Sequence, residues 1–107
     1  PSTNVVVRNN YMEKIGGDGI TTRDTDGALI EYNLAKDCRY QNTGYNVGIW
    51  PFEAANTVIQ YNEAYNTHGT QDGQGLDCDH ASSYSLMQYN YSHDNEGGFM
   101  LIRLDPV

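Results

Sequence analysis

The 107-residue sequence is short of basic residues and of long apolar runs, and each shortage excludes a class of protein. Six Lys and Arg stand against fourteen Asp and Glu, which gives a formal net charge of −8. An acidic surface repels a phosphate backbone, so the charge argues against nucleic acid as a partner. No apolar stretch is long enough to cross a bilayer, so no membrane-spanning segment is predicted.

Cysteine is also scarce, which excludes a fold held together by a disulfide framework. The two cysteines, Cys38 and Cys78, allow one disulfide at most. The alternative is that they are two small buried apolar side chains, a common role of free cysteine.

Turn-forming residues and tyrosine are abundant instead. The chain has 11 Gly and 9 Tyr, and many Asn, but only 2 Phe and 1 Trp. Frequent Gly and Asn supply turns and left-handed backbone positions, which disfavours long helices. Aromatic and β-branched residues between those turns favour short strands.

An internal repeat runs through the chain. Four segments share the order apolar, variable, Asn or Tyr, Asn, and they are Val7–Asn10, Ile30–Asn33, Ile59–Asn62 and Met87–Asn90. Their closing asparagines are 23, 29 and 28 residues apart. A second segment in each period places Gly before an apolar residue, at Gly19-Ile20, Gly48-Ile49, Gly75-Leu76 and Gly98-Phe99. Two short strands that recur in constant order predict coils stacked in parallel.

The sequence therefore predicts an all-β fold, a single-stranded parallel β-helix of about four coils, within one domain over 1–107. The repeat units are 5–27, 28–56, 57–84 and 85–104. Identical amides stacked above one another can donate and accept along the stack. Because Asn also tolerates a left-handed turn, we expect an asparagine ladder of Asn10, Asn33, Asn62 and Asn90. An aromatic stack of Tyr32, Tyr61 and Tyr89 is expected beside it.

Two stretches carry a resemblance to a known family. Val58-Ile59-Gln60-Tyr61-Asn62, followed by Asp72-Gly73-Gln74-Gly75-Leu76, resembles the right-handed β-helix repeats of the pectate-lyase-like superfamily. The stretch from Gln88 to Ile102 resembles the repeat region of secreted bacterial proteins of that kind. The resemblance implies that the β-helix is right-handed and that the protein is extracellular. Its members include lyases, hydrolases, epimerases and adhesive stalks, and full-length members have many more coils, so this chain is expected to be a segment of one.

Strand alternation predicts which side chains of the second segment face outward. The inward set is Ile20, Ile49, Leu76 and Phe99, with Thr22, Pro51, Cys78 and Leu101. The outward set is Thr21, Trp50, Asp77 and Met100, with Arg23, Phe52, Asp79 and Ile102. This outward face carries the only Trp of the chain and two carboxylates on neighbouring coils.

The outward face suits a sugar. An exposed Trp can cover the apolar face of a sugar ring, and a pair of carboxylates can serve as acid and base in glycoside cleavage. We therefore predict Asp77 and Asp79 as catalytic residues. The predicted substrate-binding residues are Trp50, Arg23 and His80. The alternative is that the two acids only keep a β surface soluble and block edge pairing.

No metal ligand set and no cofactor is predicted, with one option left open. The segment from Gly73 to Asp77 matches part of a calcium-binding nonapeptide repeat. A calcium ion among Asp72, Asp77 and Asp79 is the site that this partial match suggests.

Two functions of different class follow from the sequence. The first is an extracellular β-helix that recognises or cleaves a polysaccharide, as a hydrolase or a lyase if it is an enzyme. The second is a non-catalytic structural or adhesive module, a stalk or a fibre unit. In either case, the apolar ends, Val5–Val7 and Phe99–Ile102, predict end-to-end self-association or continuation in a longer chain.

Overall fold

The computed structural model describes residues 1–40, 44–69, 71–79 and 81–103, and these ranges form fourteen short strands and no helix. No segment in them is therefore a helix that could span a membrane. The strands are β1 (Ser2–Thr3), β2 (Val6–Arg8), β3 (Tyr11–Glu13), β4 (Ile20–Arg23), β5 (Thr25–Asp26), β6 (Leu29–Glu31), β7 (Leu34–Lys36), β8 (Ile49–Phe52), β9 (Val58–Gln60), β10 (Glu63–Tyr65), β11 (Leu76–Cys78), β12 (Leu86–Gln88), β13 (Tyr91–His93) and β14 (Met100–Ile102).

The strands form three parallel sheets, and the chain visits each sheet once per coil. The first sheet has the order β12-β9-β6-β2, the second β13-β10-β7-β3, and the third β14-β11-β8-β4. Strands β1 and β5 add a short two-stranded sheet. This is the parallel β-helix that the repeat predicts, with four coils. The expectation of two strands per period was wrong, because the strands of the second sheet lie in segments that the sequence pattern left as loops.

The predicted repeat segments pair with one another in register, except in the last coil. In the first sheet Ile30 pairs with Ile59, and in the third Ile20 pairs with Ile49 and Ile49 with Leu76. Leu76 then pairs with Met100, not with Phe99 as predicted. The register shifts by one because the last coil has two glycines, and its strand begins two residues after Gly98.

The shift moves the last side chains to opposite faces. Leu101 pairs with Asp77, so it takes the outward position that was predicted for Met100. Phe99 takes the column position that Gly19, Gly48 and Gly75 hold in the other coils. A β-carbon at Gly19 or Gly48 would lie 2.5 Å from a carbonyl oxygen of the next coil. Phe99 lies in the last coil and is 58% exposed.

Columns of small and branched aliphatic side chains fill the interior. Ile30, Ile49 and Ile59 have no exposed surface, and Leu76 is 2% exposed. Cys38 is buried among them and is not in a disulfide, and burial raises the pKa of its thiol to about 12. Cys78 is also free, and its Sγ lies 3.7 Å from Sδ of Met87. Both cysteines therefore act as small apolar side chains.

Four asparagines, Asn10, Asn33, Asn62 and Asn90, form a hydrogen-bonded column, named here the asparagine column. The Nδ2 of each of the first three donates to Oδ1 of the next asparagine, at 3.0, 3.0 and 3.1 Å along the column. Each backbone N–H donates to the same Oδ1, at 2.9 to 3.0 Å. The amides therefore satisfy one another from coil to coil.

The left-handed corner lies one residue before each asparagine, not at the asparagine as the sequence suggested. Tyr32, Tyr61 and Tyr89 have φ of 56°, 55° and 55°. Their rings stack as expected, with centroids 5.1 and 5.2 Å apart. The corner turns these tyrosines outward and leaves the following asparagine to face the interior.

Candidate functional site

A cavity of about 350 Å³ lies on the outward side of the third sheet, and it is named here the acidic cavity. It contains two carboxyl groups, one guanidinium group and a wall of apolar and aromatic side chains. The lining residues are Tyr45, Trp50, Phe52, Asp72, Asp79, Leu101 and Arg103. The outward column predicted from the sequence thus contributes Trp50, Phe52 and Asp79 to one concave surface.

Asp79 reaches the cavity from the residue after β11. It is 8% exposed, so its carboxyl group is largely desolvated. Arg103 follows β14 on the neighbouring coil, and its Nη1 lies 3.7 Å from Oδ1 of Asp79. The Arg103 guanidinium and the Asp79 carboxyl therefore line the cavity as an ion pair.

Asp72 is the cavity carboxyl that the sequence analysis did not predict as catalytic. It lies in the connection before β11, where it forms a parallel bridge with Asn46 and has φ of 64°. Burial, and then the negative charge of Asp79, raise the pKa of the Asp72 carboxyl. Strand alternation could not find Asp72, because it stands outside any strand.

Glycines fix the backbone at Asp72. Gly73, the next residue, has φ of 83°, and a β-carbon there would collide with the carbonyl of Gly69. A β-carbon at Gly97 of the next coil would collide with the carbonyl of Asp72 itself. The Asp-Gly pair at 72 and 73 is the sequence signal that marks this constrained turn.

Asp77 was predicted to share an exposed face with Trp50 and Asp79, and it is instead fully buried. It does not line the acidic cavity. Its partner on β14 is Leu101, and Trp50 stands in its column on β8. Burial, and then the charges of Asp79 and Asp72, raise the pKa of Asp77 to about 8. Asp77 therefore lies behind the cavity wall, as a group that holds a proton at neutral pH.

The aromatic wall is formed by Trp50 and Phe52 on β8. Their ring centroids are 5.6 Å apart, with the planes at 61°. The indole Nε1 of Trp50 is buried without a hydrogen-bond partner in the described part of the chain. Both rings line the acidic cavity, and the role of Trp50 in substrate binding stays a prediction.

The other two predicted binding residues are not brought into the cavity by described contacts. Arg23 stands over the ring of Phe52, with its guanidinium carbon 5.2 Å from the ring centroid, and its Nη2 lies 3.4 Å from Oε1 of Glu53. It is therefore near the aromatic wall but does not line the cavity. The prediction for His80 lies outside the described residues.

The calcium option finds no support in the described geometry. Among the residues that the structure describes, no group of three His, Cys, Asp or Glu side chains could hold a metal ion. Asp72, Asp77 and Asp79 lie near one another, but they do not form a ligand set.

Comparison with known proteins gives two related glycosidases. A lacto-N-biosidase of Bifidobacterium longum subsp. longum is 39% identical over 117 aligned residues, which cover 94% of this chain and 7% of the relative. The crystal structure of a GH136 lacto-N-biosidase from Eubacterium ramulus superposes with a TM-score of 0.83 at 34% identity. That match covers 89% of this chain and 17% of the other, so this chain spans less than a fifth of either relative.

The family described as a right-handed β-helix region matches residues 1–104. This range includes all fourteen strands and every described residue of the acidic cavity. The three parallel sheets agree with that description. The chain belongs to the right-handed β-helix family.

Proposed function

We propose that the acidic cavity is the active site of a glycoside hydrolase. The observation that carries the proposal is the presence of two carboxyl groups, Asp72 and Asp79, in one cavity beside an aromatic wall. Most glycosidases cleave their substrate with a pair of carboxyl groups that flank the scissile bond. Two relatives that share more than a third of the aligned residues, one of them a solved structure with this fold, are lacto-N-biosidases, which supports the same reaction class.

The two carboxyl groups differ in the way that such a reaction needs. Asp72 has a raised pKa, so it is the one suited to hold a proton and give it to the leaving glycosidic oxygen. Asp79 forms an ion pair with Arg103, so we assign it the role of the second carboxyl group. As a carboxylate it attacks the anomeric carbon or takes a proton from the attacking water.

We propose a neutral glycan as the substrate class. Trp50 and Phe52 would stack against the C–H face of a sugar ring, as aromatic side chains do in sugar sites. A polyanionic glycan would meet two carboxyl groups and one guanidinium in the cavity, on a chain of net charge −8. By analogy with the relatives, a lacto-N-biose unit is the first candidate for the sugar that the cavity holds.

Hydrolysis of a chromogenic aryl lacto-N-bioside by the full protein tests this proposal. We expect turnover by the wild type, and a loss of about 10²–10⁴-fold in kcat for Asp72→Asn and for Asp79→Asn. Glu53→Gln is the matched control, since Glu53 is an exposed acid at the end of β8 that pairs with Arg23. An active wild type whose two aspartate variants remain as active as the control would exclude this cavity as the active site.

The exposed ends support a separate proposal about partners. Val6 on the first coil is 54% exposed, and Phe99 and Ile102 on the last coil are 58% and 61% exposed. We infer that further β-helix coils, of the same chain or of a second copy, stack on these ends. Light scattering on the 107-residue chain tests the inference. Concentration-dependent association is expected, and a monomer at high concentration would contradict it.

A further inference from the structure

The buried carboxyl group of Asp77 is not used by the reaction as proposed. It has no exposed surface and lies behind the wall of the acidic cavity. Its carboxyl group lies beside that of Asp79, and no other described side chain hydrogen-bonds its two oxygens. A fully buried carboxyl group without a cation is costly in its charged form.

The surroundings of Asp77 favour its neutral form. The side chains in the same column on the neighbouring strands, Trp50 and Leu101, are uncharged. The charged groups that face the two carboxyl groups are Asp72 from the preceding connection and Arg103 from the end of β14. Arg103 is ion-paired with Asp79, which also has access to the cavity. Full burial without a cation of its own therefore favours the protonated form of Asp77.

We propose that Asp77 is a positioning residue that holds a proton beside Asp79, so that Asp79 remains a carboxylate and keeps its orientation toward the sugar. The inference rests on the proposed function and assigns Asp77 a role that does not touch the substrate. It differs from the sequence prediction, in which Asp77 itself was catalytic.

Activity is expected to depend on pH through Asp77. Burial and the charges of Asp79 and Asp72 give Asp77 a pKa of about 8. Above that pH, a second buried negative charge would stand against Asp79. The pair then loses its proton, and activity is expected to fall on the alkaline side.

The kinetic test compares Asp77→Asn, Asp77→Leu and Asp79→Asn in the full protein, with the aryl lacto-N-bioside between pH 5 and pH 10. Asn copies a neutral acid in shape and can donate a hydrogen bond. We therefore expect Asp77→Asn to retain kcat/KM within about tenfold of the wild type, and to lose the alkaline fall. Asp77→Leu is neutral but cannot donate, and it is expected to fall at least about tenfold below Asp77→Asn. An Asp77→Asn variant as inactive as Asp79→Asn, or one with an unchanged alkaline limb, would overturn the proposal.

A second measurement needs no activity and so separates this inference from the proposed function. The aspartate carboxyl carbons of the full protein are labelled with ¹³C and titrated by NMR. One resonance is expected to titrate near pH 8, to disappear in Asp77→Asn and to move to lower pH in Asp79→Asn, which removes the neighbouring charge. If no aspartate titrates above about pH 6, Asp77 does not hold the proton and the inference is wrong, whatever the protein hydrolyses.

Discussion

The asparagine column and the cluster of three aspartates are both buried polar groups, but they differ in how well their members are paired. In the asparagine column each amide donates to the asparagine of the following coil, over three successive contacts near 3.0 Å, so an internal amide also accepts from the preceding coil. In the group formed by Asp72, Asp77 and Asp79, three acids lie together, Arg103 is ion-paired with Asp79, and no cation of the described residues pairs with the fully buried Asp77. The first arrangement stabilises the stack, whereas the second opposes folding at neutral pH.

The difference separates buried polar side chains that stabilise the fold from buried polar side chains that are suited to a functional site. A buried polar group that is fully hydrogen-bonded costs little, and one that is left unpaired or like-charged costs several times more. A costly cluster that lines a cavity is the expected mark of a functional site. If the contrast is real, substitutions in the aspartate cluster and in the asparagine column should change the free energy of unfolding in opposite directions.

The largest effect is expected from Asp77→Asn on stability. The pKa of Asp77 is raised from 3.8 to about 8 in the folded state, so the contribution of this group is most favourable below pH 3.8 and is lost as pH rises to 8. At about 1.4 kcal/mol per pH unit over the span from 3.8 to about 8, the variant should be more stable than the wild type at pH 8 by on the order of 6 kcal/mol. Urea unfolding at pH 4 and pH 8 measures this difference, and equal stability at pH 8 would contradict it.

The next largest effect is a loss of stability, and it is expected from a substitution in the asparagine column. Asn62→Ala removes an internal amide that accepts from Asn33 and donates to Asn90, and we expect a loss of about 2–4 kcal/mol in the free energy of unfolding. Asn10→Ala is the matched control, since Asn10 is the exposed terminal member and its loss should cost less than about 1 kcal/mol. Similar losses in both variants would show that the column is not a cooperative set of hydrogen bonds.

A smaller loss is expected from the turn that holds Asp72. Gly73→Ala places a β-carbon at a left-handed position, against the carbonyl of Gly69, and should cost about 1–3 kcal/mol. Gly16→Ala is the control, because a β-carbon at Gly16 meets no atom within 4 Å. In thermal unfolding, equal midpoints for the two variants would contradict the account of this turn.

The smallest effect is expected from His93, which tests polar pairing on the second sheet. Its Nε2 lies 2.7 Å from Oε2 of Glu63 and its Nδ1 lies 2.8 Å from Oδ2 of Asp94. Hydrogen bonds to Asp94 and then to Glu63 raise the pKa of His93. The stabilisation is therefore complete below pH 6.5 and is lost as pH rises through the folded pKa. His93→Gln should remove this slope from the pH dependence of unfolding, and an unchanged slope would assign it to other groups.

The sequence predicted the repeating part of the molecule well. The parallel stacking, the number of coils and the pairing of Ile20, Ile49 and Leu76 follow from apolar and glycine positions that recur once per coil. The predictions were wrong where the repeat is interrupted. The second glycine before Phe99 shifted the last strand by one residue, and the second sheet has too little apolar patterning to be seen between loops.

The candidate site was predicted only in part, for the same reason. Trp50 and Asp79 were found because they extend the strand pattern, and they do line one cavity. Asp72 was missed as a catalytic candidate because the turn that presents it follows from glycine packing between coils, which strand alternation does not describe. Asp77 has the right spacing but is covered, and burial depends on neighbours that a single strand does not specify.

The central claim is that a sugar binds in the acidic cavity between the aromatic wall and the two carboxyl groups. A crystal structure of the full protein carrying Asp79→Asn, soaked with lacto-N-biose, tests it most directly. The account predicts a sugar ring against Trp50, with its anomeric carbon between the carboxyl of Asp72 and the substituted side chain at position 79. A sugar seated instead along the exposed tyrosine stack of Tyr32, Tyr61 and Tyr89, with the acidic cavity empty, would contradict it.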